Sequence, residues 1–117
     1  MQIIPTKYFN NDVKFYVRKK KFLKIADDVK TVTDELEQGN FVGVKLEGLD
    51  LPKNTAAYKV RLANVGKSHG FRLIYYVVIE EKVYLVSIYS KKDDIRVVSE
   101  KQIEEHIKIL LEPQEEK

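Results

Sequence analysis

The chain predicts an α+β fold in the order β-α-α-β-β-β-α, with a helical hairpin and a C-terminal helix packed on a small, twisted, mainly antiparallel sheet. Two observations carry this. Apolar residues recur at helical spacing over the first third of the chain and again near its end, and between them lie three strand-like runs rich in β-branched and aromatic residues. Strands that follow one another without an intervening helix pair antiparallel, and the segregated helices form layers over the sheet. Size bounds the answer, because 117 residues with 44% hydrophobic content supply one core of ordinary dimensions and not two. Residues 1–112 are read as a single domain, and 113–117 as a frayed acidic tail.

The elements follow in order. Gln2 to Pro5 is short and partly β-branched, and Pro5 lacks a donor, which suits an edge strand. Phe9, Val13, Tyr16 and Val17, then Ile25, Val29, Val32 and Leu36, recur at helical spacing, and Gly39 supplies a stop. These two helices make a hairpin with the basic run Arg18 to Lys21 at its junction. From Phe41 to Ala57, Gly43, Gly48, Pro52 and Asn54 mark an irregular connection in which no regular element is expected. Tyr58 to Asn64, Phe71 to Glu80 and Val83 to Lys91 then read as strands, separated by VGKSHG and by a tight Glu81-Lys82 turn. Ser99 with Gln102 forms a capping-box pattern ahead of Ile103, Ile107 and Leu110, the apolar stripe of a last helix.

No stretch reaches the roughly 20 consecutive apolar residues of a membrane span, and the N-terminal segment lacks the pattern of a secretory signal, so a cytoplasmic protein without a membrane partner is expected. The chain has no cysteine, which excludes a disulfide framework, a thiolate metal site and a cysteine nucleophile. No group of His, Asp and Glu has metal-ligand spacing, and no metal or other cofactor is expected. The formal net charge is only +3, but residues 57–92 hold seven Lys and Arg against two Asp and Glu. Such a concentrated positive field attracts polyanions, of which nucleic acid is the commonest in a cytoplasm.

Strand parity sorts these cations by face. Lys59 and Arg61 point one way while Tyr58, Val60 and Leu62 point the other, Arg72 shares a face with Ile74, Tyr76 and Val78, and Ser87, Tyr89 and Lys91 share a third. The apolar sets should face the helices. One open side of the sheet would then present Lys59, Arg61, Arg72, Tyr89 and Lys91, with Lys67 reaching in from the loop. A solvated polar face and edge lysines that prevent aggregation give the same pattern without any function. A nucleotide-binding P-loop is excluded, because Arg61 stands where the first glycine of G-x-x-x-x-G-K-[ST] would fall ahead of Gly66.

The run YKVRLANVGKSHGFRLIYYV followed by VYLVSIYSKKDD resembles the central strands of RelE-superfamily toxins of type II toxin-antitoxin systems. The likeness is greatest to the HigB-like branch, with its succession Y-K-x-R, G-K-S-G-G-x-R-x-I-Y-Y and Y-x-K. It extends over nearly the whole chain, since IIPTKYF, the segment ending LEQGNFVGVKLEG and the closing helix fall where that family has its first strand, helical hairpin and last helix. The resemblance implies a cofactor-free endoribonuclease, an mRNA interferase that cuts mRNA in the A site of the ribosome, inhibits translation, and is neutralised by a cognate antitoxin protein. Carried residue by residue, it implies catalytic roles for Lys59, Arg61, Arg72, Tyr89 and Lys91. RNA contacts would come from Lys67, Ser68, His69, Tyr76 and Lys92, with Lys19 and Lys20 of the helical turn adding phosphate contacts. Two positions depart from the pattern: His69 stands where many relatives have glycine, and no tyrosine follows Tyr89.

RNA supplies its own nucleophile. Cleavage needs the 2′-hydroxyl deprotonated and held in line with its 3′-phosphate, and fixed cations to stabilise the charge that accumulates on phosphorus. A lysine among other cations serves as a base nearer neutrality than a lone one, which makes Lys59 the candidate base or base-supporting group. Arg61 and Arg72 would grip the phosphate through their planar forks, Tyr89 would stack on a base or orient the 2′-hydroxyl, and Lys91 or Lys67 would protonate the leaving oxygen. His106, between Ile103 and Ile107, reads as structural. A ParE-like toxin that binds DNA gyrase and a noncatalytic RNA-binding module are alternatives that fold alone does not separate.

Overall fold

A computed structural model of the chain describes residues 1–19, 22–64, 70–78, 82–91 and 99–111. Its elements are β1 (Gln2–Pro5), α1 (Lys7–Lys14), α2 (Ile25–Glu37), β2 (Val44–Lys45), β3 (Ala56–Arg61), β4 (Phe71–Val78), β5 (Lys82–Ser90) and α3 (Glu100–Leu111). The strands form one five-stranded sheet in the order β1-β5-β4-β3-β2, with β1 parallel to β5 and the other pairs antiparallel. The α+β class and the expected succession of elements are found, with β2 added. A two-residue strand is too short to register as periodicity. It exists because Val44 pairs with Lys59 and Lys45 with Tyr58.

One residue, Thr6, turns the chain from β1 into α1. Its backbone is extended, its Oγ1 accepts from the Phe9 N–H at 3.2 Å as the N-cap of α1, and the same hydroxyl donates to the Val86 carbonyl at 3.3 Å. The helix is thereby laid along β5. Farther on, the Asp12 carboxylate accepts from Ser87 Oγ at 3.0 Å and from the Ile88 N–H at 3.2 Å, and Tyr16 Oη accepts from the Ser90 N–H at 3.1 Å. Here β5 carries a bulge: Ile74 pairs with Ser87 but Tyr75 pairs with Leu85, which leaves Val86 as the extra residue. Strict parity set Ser87 on the face of Tyr89 and Lys91. The bulge re-aims it, and Ser87 is buried with its hydroxyl on Asp12.

Past Lys14, α1 widens into a π-helical turn at Phe15–Lys19. The ring of Phe71 meets those of Tyr16 and Phe22 there edge to face, with centroids 4.7 Å and 5.1 Å apart. Arg18 and Lys19 of the basic run lie in this turn, and Lys20 and Lys21 lie outside the described residues. α2 buries Ile25, Val32 and Leu36 and stops as expected at Gly39, which takes φ +83° while its N–H returns to the Leu36 carbonyl at 2.9 Å.

The sheet is covered on both sides. On one face Phe9, Tyr16, Ile25, Val32 and Leu36 of the hairpin pack against Val60, Leu73, Tyr75, Leu85 and Ile88. On the other, Ile103 and Ile107 of α3 pack against Ala57, Ile74, Tyr76, Val86 and Tyr89, with Leu46, Leu49 and Leu51 at the margin. The expectation of one open side is corrected here, since the face that carries Lys59 and Arg72 also carries Ile74 and Tyr76, and α3 buries those. α3 begins with the expected capping box: Gln102 N–H donates to Ser99 Oγ at 3.2 Å and Ser99 N–H to Gln102 Oε1 at 2.9 Å. Among the described residues no helix is long and apolar enough to cross a membrane. The segment 113–117, read as a tail, and the Glu81 half of the expected turn lie outside the described residues.

Candidate nucleic-acid interface

Sheet register brings three of the expected residues into one row. Arg61 on β3 pairs with Arg72 on β4, and Arg72 pairs with Tyr89 on β5. Directly paired residues point to the same face with Cβ atoms about 5 Å apart, so two guanidinium side chains and a phenol rise from adjacent strands. Lys59 stands one row along, opposite Ile74, and Lys91 stands just past the end of β5. Lys59 and Arg72 are half-buried, while Arg61 and Lys91 are exposed. Among the described residues neither arginine has a carboxylate within ion-pair distance. Arg72 Nη1 donates to the Phe71 carbonyl at 3.1 Å, which steadies the side chain without neutralising it.

Tyr89 is 4% exposed. Burial raises its hydroxyl above the ordinary tyrosine value, and the Arg72 cation opposes that rise. The phenol is therefore neutral at physiological pH, which suits it to donate a hydrogen bond rather than to serve as a base. Its ring belongs to the core beneath α3 and offers no free face on which an RNA base could stack. Tyr76, expected to contact RNA, is 0% exposed under α3, and its hydroxyl has no hydrogen-bond partner among the described residues. The expected RNA contacts Lys67, Ser68, His69, Lys92 and Lys20 lie outside the described residues, as does the side chain of Lys19.

Two glycines fix the edges of this surface. Gly43 has φ +98°, and a Cβ there would collide with the Lys59 carbonyl oxygen and lie 2.9 Å from the Val60 Cβ. Only glycine lets the connection to β2 lie against β3 at Lys59. Gly70 has φ +68° with Lys91 Cβ 3.2 Å from where its own Cβ would be, and its carbonyl accepts from the Lys91 N–H at 3.0 Å. The strand end bearing Lys91 is thus tied to the start of β4.

Sequence reading missed Asp28. This carboxylate on α2 is 1% exposed and accepts from both the backbone N–H of Asn64 at 3.0 Å and its side-chain amide at 2.7 Å. It anchors the chain just beyond β3 to the hairpin. The signal in the sequence was an aspartate on the apolar stripe of α2, three residues after Ile25 and four before Val32. His106, read as structural, stacks on Tyr8 of α1 with centroids 4.0 Å apart and planes within 2°. No group of three or more His, Cys, Asp and Glu suited to a metal occurs among the described residues. In comparison with known proteins, no family model and no curated protein matches the chain.

Proposed function

We propose that the chain is a metal-independent endoribonuclease of the RelE/HigB-like toxin class, which cuts mRNA on the ribosome and is held in check by a cognate antitoxin. The observation that carries this reading is the cross-strand row Arg61, Arg72 and Tyr89, flanked by Lys59 and Lys91. Two arginines placed opposite each other, with no acidic partner among the described residues, repel, and a doubly charged phosphorane held between them would relieve that repulsion. Arg61 and Arg72 grip the scissile phosphate, Lys59 takes the 2′-hydroxyl proton, Tyr89 donates a hydrogen bond from the buried side of the row, and Lys91 protonates the leaving 5′-oxygen. Electrons move from the 2′-oxygen to phosphorus and out to the 5′-oxygen, which leaves a 2′,3′-cyclic phosphate and a 5′-hydroxyl.

Burial of Tyr89 and Tyr76 favours a second reading, an RNA-binding module that cuts nothing, because only the cations of the row reach solvent. One experiment separates the two: the purified chain with a labelled mRNA, with and without ribosomes, in the presence of a chelator. Cleavage leaving a cyclic phosphate supports the nuclease. Salt-dependent binding with intact RNA in both arms supports the module.

A further inference from the structure

A cavity of about 480 Å³ opens between the start of α1 and the last turn of α3, on the flank of the sheet where β5 meets β1. Its walls include Ile109 and Leu110 of α3 and Tyr84 of β5, and on the α1 side Lys7, Tyr8 and Asn11. The volume falls within the range of small-molecule sites, roughly 300–1,000 Å³. Tyr84 lies five residues from Tyr89 along β5, roughly 15 Å at strand spacing. The cavity is therefore separate from the arginine row.

The lining selects a class of ligand. Two aromatic rings and two aliphatic side chains suit a flat apolar body. Tyr8 is held in place by its stack on His106, so this wall is formed before any ligand arrives. The polar groups are a lysine, a carboxamide and two phenols, and none of their side chains has a hydrogen-bond partner among the described residues. Thr6, also at the wall, is already committed to Phe9 and Val86. Among the described residues no Asp or Glu lines the cavity and the formal charge there is that of Lys7, which favours an anion. A flat aromatic body, an edge that exchanges hydrogen bonds with an amide, and a negative group together describe a nucleotide.

We propose that this cavity is a binding site for a nucleoside monophosphate, with the base between Tyr84 and the aliphatic end of α3, its edge on Asn11, and its phosphate on Lys7. The site stands apart from the ribonuclease reading and does not depend on RNA cleavage. The same chemistry is offered by a free mononucleotide and by the 5′-end of an RNA chain.

The test is titration of the intact chain with AMP, adenosine, inorganic phosphate, a 5′-phosphorylated RNA trinucleotide and a medium-chain fatty acid, followed amide by amide by NMR. AMP is expected to shift Lys7, Tyr8, Asn11, Tyr84 and Leu110, with adenosine and phosphate each at least about tenfold weaker. A trinucleotide that binds more tightly than AMP identifies an RNA end as the natural occupant, and the reverse order identifies the free nucleotide. Lys7→Glu, at an exposed position, keeps the fold and weakens AMP by about tenfold or more while leaving adenosine unaffected. The proposal is overturned by shifts confined to Arg61 and Arg72, by a fatty acid binding as tightly as AMP, or by no shift at about 10 mM AMP. None of these outcomes bears on whether RNA is cut.

Discussion

Under the proposed ribonuclease reading, Arg72 is the residue at which attraction and catalysis separate. A donor aimed at charge that develops only in the transition state contributes to rate far more than to binding. Arg72→Ala is expected to lower single-turnover cleavage by about 10²-fold or more while RNA binding mostly survives. Lys19→Ala and Lys20→Ala, by contrast, should cost little rate and a modest, salt-dependent loss of affinity. Equal loss of rate in all three variants would mean that the row is only a docking patch. The buried tyrosines give a second prediction. Burial raises Tyr89, and burial first with Tyr58 second raises Tyr75 well above the ordinary tyrosine value of 10.0. The folded state therefore holds these protons more tightly than the unfolded chain does. Their contribution to stability is complete below about pH 10 and is lost as pH rises through the higher folded values. Denaturant midpoints should fall steeply above pH 10, and less steeply in Tyr89→Phe. Tyr75→Phe should also cost about 1–3 kcal/mol at neutral pH, because Tyr75 Oη donates to the Val42 carbonyl at 2.6 Å and that acceptor would lose its donor.

The connection into β2 turns on one glycine. Gly39 and Gly43 both have positive φ, yet a Cβ at Gly39 would meet nothing within 4 Å whereas one at Gly43 would strike the Lys59 carbonyl. Gly39→Ala should cost only the conformational penalty, about 1–2 kcal/mol. Gly43→Ala should cost more and should shift the amide resonances of Lys59 and Val60. Equal midpoints in a denaturant titration would show that β2 is free to move off β3. The helices and the long strands were legible because their cues lie within a few residues: Gly39 as a stop, Ser99 with Gln102 as a cap, alternation along β4. What was not legible depends on partners far away in the chain. Thr6 is a cap whose second bond goes to Val86, Asp12 reaches Ser87, and Asp28 reaches Asn64. The bulge at Val86 has no glycine to announce it, so parity failed at Ser87 alone. β3 starts at Ala56 rather than Tyr58 because two alanines carry no strand signal.

At the scale of the whole molecule, the sheet separates two apolar layers of unequal extent. The hairpin layer is tied to β5 by Thr6, Asp12 and Tyr16, whereas α3 is held chiefly by Ile103 and Ile107, the His106 stack on Tyr8, and the polar contacts of Glu104 with the Asp50 N–H and of Lys108 with Asp50. The candidate row was readable as a set of cations because alternation assigns faces. The position of α3 was not, since periodicity marks which side of a helix is apolar and says nothing of where that side docks. The clue was the apolar pair Ile74 and Tyr76 on the same face as Arg72. A layer held by few contacts opens at lower free energy than the rest. Native-state hydrogen exchange should therefore show α3 amides exchanging by sub-global opening, while those of β4 and β5 exchange only with global unfolding. Ile107→Ala, which removes a fully buried side chain, should cost about 2–5 kcal/mol. If the two layers are separable, that loss falls on α3 first: its amides exchange faster, and Tyr76 and Tyr89 become accessible to a nitrating reagent before the hairpin amides lose protection. Simultaneous loss of protection in α2 and α3 would show instead that the molecule unfolds as one cooperative unit, with both faces of the sheet stabilised together.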